Sequence, residues 1–135
     1  MPKKTRRQKA NDKIWKLCKE ITRKEYPNVC YTCGACGLEA QNWHTGHGKA
    51  KGLLPVRYQY DLRNLRPQCY NCNINLGGMS DIFITKLEQE EEGLAFLEES
   101  CRKTEDGWVV KKESDLHGID ATIFLEELIK EYKSY

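Results

Sequence analysis

The chain has 135 residues, of which 39% are hydrophobic and 31% charged, with seven cysteines. That is one domain's worth with room for an appendage, and too little apolar material for burial alone to hold the fold. No run approaches the roughly 18 apolar residues of a membrane span, and the Met-Pro-Lys-Lys start lacks the apolar stretch of a secretory signal. The net charge of +2 divides into +10 over residues 1–80 and −8 over residues 81–135. Either the first half meets a polyanion, or the two halves attract one another across one fold.

Residues 1–13 read as a basic, apolar-poor arm suited to phosphate contact. From Asp12 the pattern turns helical. Ile14, Leu17, Cys18 and Ile21 share one face, and Pro27 ends the helix. Cys18 lies in that apolar face and reads as a packed thiol. Residues 28–50 are glycine-punctuated extended pieces. Val56–Tyr60 reads as a short strand, and a short helix after Cys72 ends at Gly77-Gly78. Residues 80–102 read as one helix, capped by Ser80 or Asp81 and open to a break or kink at Gly93. Trp108–Val110 is an extended link, and residues 119–133 form a last helix. The resulting division is a basic arm and helix (1–27), a cysteine-bearing core (28–80) and an acidic helical extension (81–135).

Cys30/Cys33 and Cys69/Cys72 form two C-x-x-C pairs separated by 35 residues. A two-residue spacer lets both sulfurs of a tight turn face one ion, and two such turns complete a tetrahedron, so the pattern points to structural zinc. Cys33/Cys36 is a second pairing open to the first cluster, with Cys30/Cys33 preferred. Cys101 falls on an acidic helix as a free thiol. Between the pairs lie His44 and His47 in Trp43-His44-Thr45-Gly46-His47-Gly48. Asn64 follows, and then Asn73 directly after the last cysteine.

That order, with Gln68-Cys69-Tyr70-Asn71-Cys72-Asn73-Ile74-Asn75-Leu76-Gly77-Gly78 as its most specific stretch, resembles the HNH nucleases of the ββα-metal group. Within them it is most similar to the phage recombination nucleases of the NinG (Rap) type. The resemblance runs from about Val29 to Gly78. It implies an α+β fold: a zinc-stapled ββα core with an N-terminal basic helix and two C-terminal acidic helices. It also implies a metal-dependent DNA endonuclease acting on branched or recombination-intermediate DNA such as a Holliday junction. The setting it implies is intracellular and phage- or prophage-encoded.

By that resemblance His47 is the general base, and its ordinary pKa near 6.5 suits the task at neutral pH. Asn73 is a ligand of a catalytic Mg²⁺ or Mn²⁺, its amide oxygen being hard and neutral. Asn64 fixes the loop and the imidazole by hydrogen bonding. Many HNH sequences carry an Asp directly before the base, where this chain has Gly46. NinG-like sequences place an acid three residues before it, where this chain has His44. His44 is therefore either a ligand, favouring Mn²⁺ or another transition metal, or a surface residue beside Trp43.

Arg57, Arg63 and Arg66 flank the site as phosphate contacts, Arg57 foremost, with Lys49 and Lys51 beside them. For Arg63 and Arg66, pairing with the acidic helices is the competing reading. Two other functions stay open: a non-catalytic zinc-stapled DNA-binding module, and an interaction adaptor whose acidic helices dock a partner or form a homodimer.

Overall fold

The computed structural model describes residues 2–135 as an α+β chain with two small antiparallel sheets. Helix α1 runs over Arg6–Glu25, six residues earlier than its apolar stripe suggests. The reason is a capping box. The Thr5 hydroxyl accepts from the Gln8 backbone N–H at 3.1 Å, and the Gln8 side chain accepts from the Thr5 N–H at 2.8 Å. Most of the basic arm is thereby the first two turns of α1.

Strand β1 (His44–His47) pairs antiparallel with β2 (Leu65–Gln68), in a register that sets His44 opposite Gln68 and His47 opposite Leu65. Between them Val56–Gln59 forms a one-turn helix, α2, instead of the expected strand. Val56 and Tyr60 are buried in the same cluster four residues apart, which is helical spacing. The Asp115 carboxylate caps the Val56 N–H at 2.9 Å. A single π-helical turn, Asn71–Asn75, follows β2. It ends at Gly77 and Gly78, whose φ values of +66° and +94° suit glycine.

The expected helix 80–102 is two helices, α3 (Ser80–Glu88) and α4 (Glu91–Ser100). No side chain caps α3. The break falls at Gln89-Glu90. Gly93 instead lies inside α4, where a Cβ would come 2.5 Å from the Leu87 carbonyl oxygen, so it permits α4 to cross close over the end of α3. Cys101 is buried at the start of strand β3 (Cys101–Thr104), and the Trp108 segment is its partner strand β4 (Gly107–Val110). Helix α5 (Gly118–Tyr132) returns to pack along α1.

Ile14, Cys18, Leu65, Leu125 and Tyr132 share one buried cluster, so the first and last helices close a common core around β2. Each such side chain contributes roughly 1.5–3 kcal/mol by burial. A second cluster joins Leu54, Phe83, Leu87, Phe96 and Leu97. Ion pairs also tie the basic half to the acidic half: Arg6–Glu126, Arg57–Glu113, Arg63–Glu99 and Arg66–Glu90. Among the described residues no helix is long and apolar enough to cross a membrane.

Candidate metal centre and active cleft

Cys30, Cys33, Cys69 and Cys72 converge from the two C-x-x-C turns, their sulfurs all within 4.8 Å of one another. The Cys33 and Cys69 sulfurs lie 3.7 Å apart. A tetrahedron with metal–sulfur bonds of about 2.3 Å has edges of about 3.8 Å, so the cluster fits one zinc-sized ion. Burial works against the Cys30 thiolate, but the Thr32 hydroxyl and the backbone N–H groups around it outweigh burial and lower its pKa to about 6. Cys36 is exposed, with its sulfur against the Gly34 carbonyl at 3.5 Å, and stands outside the cluster. Of the two pairings open to the first cysteine run, the structure assembles Cys30/Cys33.

Gln68 links this knuckle to β2. It is fully buried and donates to the Thr32 hydroxyl (3.0 Å) and the Gly78 carbonyl (2.8 Å). Its Oε1 would lie only 1.8 Å from a Cβ at Gly46. Gly46 thus admits no side chain unless Gln68 shifts.

On β1, His44 and His47 are three positions apart and point to opposite faces. His44 meets Asn73: its Nδ1 lies 2.9 Å from the Asn73 side-chain nitrogen. Its Nε2 lies 2.9 Å from the Gln41 carbonyl, which can only accept, so Nε2 carries the proton and Nδ1 keeps its lone pair toward Asn73. Tyr70 stands edge-on to the imidazole at 5.4 Å.

The pair opens into a cleft of about 430 Å³ lined also by Trp15, Lys19, Arg23 and Gln41. Arg23 is held there by donating to the Trp43 carbonyl at 2.7 Å, with its guanidinium 5.0 Å from the Trp43 ring centre. Trp15, Lys19 and Arg23 recur every four residues along α1, and that W-x-x-x-K-x-x-x-R row was the sequence signal for this wall of the cleft.

His47 faces the other way. It stacks on Trp15 with ring centres 5.2 Å apart and donates from Nε2 to the Gln59 carbonyl at 3.3 Å. Burial, followed by the nearby Lys51 charge, lowers its pKa to about 4, despite the opposing Gln59 bond. The structure therefore unites Asn73 with His44 and leaves His47 behind Trp15, the side chain that touches both settings. Asn64 is fully buried and brackets Lys49, accepting from its N–H at 2.8 Å and donating to its carbonyl at 2.9 Å, so it fastens the segment after His47.

Two of the expected phosphate contacts need correction. Arg66 is only 1% exposed. It donates to the Leu62, Arg63 and Leu65 carbonyls and to Glu90, and lies over the rings of Tyr26 and Tyr31. Arg63 is gripped by Asp61 and Glu99. Both guanidiniums stabilise the fold: the Arg63 donors and the two terminal nitrogens of Arg66 bond within the chain, and the buried Arg66 Nε has no partner. Arg57 is half-exposed and pairs with Glu113. Lys49 donates to the Trp108 carbonyl, and Lys51 lies over the Tyr60 ring at 4.9 Å. Among the protein families, curated proteins and solved structures compared with it, none matches this chain.

Proposed function

We propose that the chain is a zinc-stapled, divalent-metal-dependent DNA endonuclease whose working centre is the His44–Asn73 cleft. The observation that carries this reading is the contact within that pair. His44 Nδ1 accepts a hydrogen bond from the Asn73 amide at 2.9 Å, which holds an imidazole lone pair and a carboxamide side by side at the mouth of the cleft. The Asn73 carboxamide offers its oxygen to a cation by turning over. The Nε2–H bond to Gln41 fixes the His44 lone pair in place, as such outer bonds do for metal-binding histidines. Two neutral ligands, one of them an imidazole, favour Mn²⁺ over Mg²⁺. A bound divalent ion would act there as a Lewis acid on the phosphoryl and departing 3′ oxygens.

The chain's own residues supply the rest. Lys19 and Arg23 offset the phosphate charge at the rim. His47, expected as the general base, lies on the other face of β1 behind Trp15 and outside the cleft lining, so this reading assigns it no proton transfer there. Products would carry 5′-phosphate and 3′-hydroxyl ends, and branched DNA is the proposed substrate class. Nothing in the cleft is built to read a base, which fits recognition by shape and backbone.

The lowered basicity of His47 favours one other reading, a DNA-binding module without catalysis. Cleavage of plasmid and of a four-way junction with Mg²⁺ or Mn²⁺ separates the two. The endonuclease reading expects cutting that His44→Ala and Asn73→Ala each reduce at least about 100-fold while DNA binding persists. A chain that binds both DNAs and cuts neither with any divalent ion is the module.

A further inference from the structure

A second cationic feature lies away from the cleft, between α1 and α5. The groove there measures about 660 Å³ and is lined by Arg6, Lys9, Lys13, Lys130 and Lys133 together with two acids. Those acids are already engaged: Glu126 by Arg6 and Glu127 by Lys130. Among the described residues Lys9, Lys13 and Lys133 have no acidic partner, although they line one groove. Lys13 and Lys133 also stand close enough that Lys13 holds the Lys133 ammonium below the ordinary lysine value. Like charges brought together across two packed helices raise the energy of the free fold, and an anion between them removes that cost.

The groove and the cleft are separate cavities that share no lining residue, and both draw lining residues from α1. Lys9, Lys16 and Arg23 recur every seven residues and so form one row. At 1.5 Å per residue that row spans about 21 Å, the axial length of about six phosphates on one strand of a duplex.

We propose that the α1–α5 groove at Lys9, Lys13 and Lys133 seats the phosphate backbone of a DNA arm that leaves the His44–Asn73 cleft along α1. This rests on the DNA reading above. It gives the last residues of a predominantly acidic segment a cationic task, since Lys133 sits just past the C-terminal end of α5, where a positive charge also suits the helix dipole.

The test is binding of a 30-base-pair duplex by fluorescence anisotropy without divalent ions, using the full zinc-loaded chain across a salt series. The triple variant Lys9→Gln/Lys13→Gln/Lys133→Gln is compared with Lys112→Gln, a hairpin-side variant that removes a lysine two residues past β4 and outside the groove lining. Each phosphate that the protein ceases to neutralise lowers the slope of log K against log salt by about 0.9. The seat therefore predicts a slope reduced by about 2 to 3 and at least a 10-fold weaker complex at 0.1 M salt. The hairpin variant keeps the wild-type slope, and Lys13→Arg/Lys133→Arg restores binding. A triple variant with the wild-type slope, or a hairpin variant that loses as much, overturns the seat while leaving the cleft reading intact. A wild-type chain that binds no duplex overturns the DNA reading itself, and the seat with it.

Discussion

The two faces of β1 carry one histidine each, and the contrast between them is chemical. His44 is bonded at both nitrogens, beside a carboxamide and at the mouth of a cleft. His47 is stacked under an indole, largely buried, and held uncharged. The same side chain, three positions on, is a metal-ligand candidate in one place and a packed ring in the other. What divides them is strand alternation together with what α1 lays over each face.

The largest effect should strike both faces at once. Cys72→Ser, or removal of metal by a chelator, takes away the clamp beneath β2, and zinc sites of this kind hold on the order of 10 kcal/mol. We expect loss of the folded far-UV circular dichroism signal, with recovery on adding zinc to the wild type. A chelated chain that keeps its melting temperature would contradict the clamp.

The next effects should split the faces. His44→Ala should weaken Mn²⁺ binding by titration calorimetry at least 10-fold and leave the fold intact. His47→Ala should leave Mn²⁺ affinity near wild type and lower the melting temperature. If both variants lose Mn²⁺ equally, the faces are not distinct.

Acid should act on the His47 face. Its folded pKa, about 4, lies below the ordinary 6.5. Between those values the unfolded chain binds a proton that the folded chain refuses, so stability rises with pH through this window and is lost as pH falls from about 6.5 to about 4. The loss contributed is up to about 3 kcal/mol. Urea melts across pH 4–7 should show it, and His47→Gln should flatten the profile over that window.

Smaller changes test the supports. Gly46→Ala forces a methyl onto Gln68 and should cost about 1–3 kcal/mol in urea unfolding, with Gln68→Ala recovering part of it. Thr5→Ala removes only the α1 cap and should cost about 1 kcal/mol, with no change at either histidine.

Much of this was legible in the sequence. The C-x-x-C spacings name the four clustered thiols, and the position of Asn73 directly after Cys72 sets it at the start of the turn that faces β1. The Thr5-x-x-Gln8 box was equally readable, but the basic composition around it argued for a loose arm. The identity of the histidine that meets Asn73 was not readable, because it depends on the register of β1 against β2, where a shift of one residue exchanges the faces. The role of Arg66 was hidden for another reason. Its carbonyl partners lie nearby in sequence, but Glu90 and the two tyrosine rings come from elsewhere in the chain.

That cage around Arg66 makes the segment ending at Gly78 a poor candidate for a portable cassette. Its guanidinium meets a single carboxylate, Glu90, which lies beyond Gly78. A fragment ending there would strand an interior cation, at about 3–5 kcal/mol. It would also strip α1 of the Leu125 and Ile129 side chains that cover it. Moving this segment onto another protein would thus require carrying the acidic tail with it.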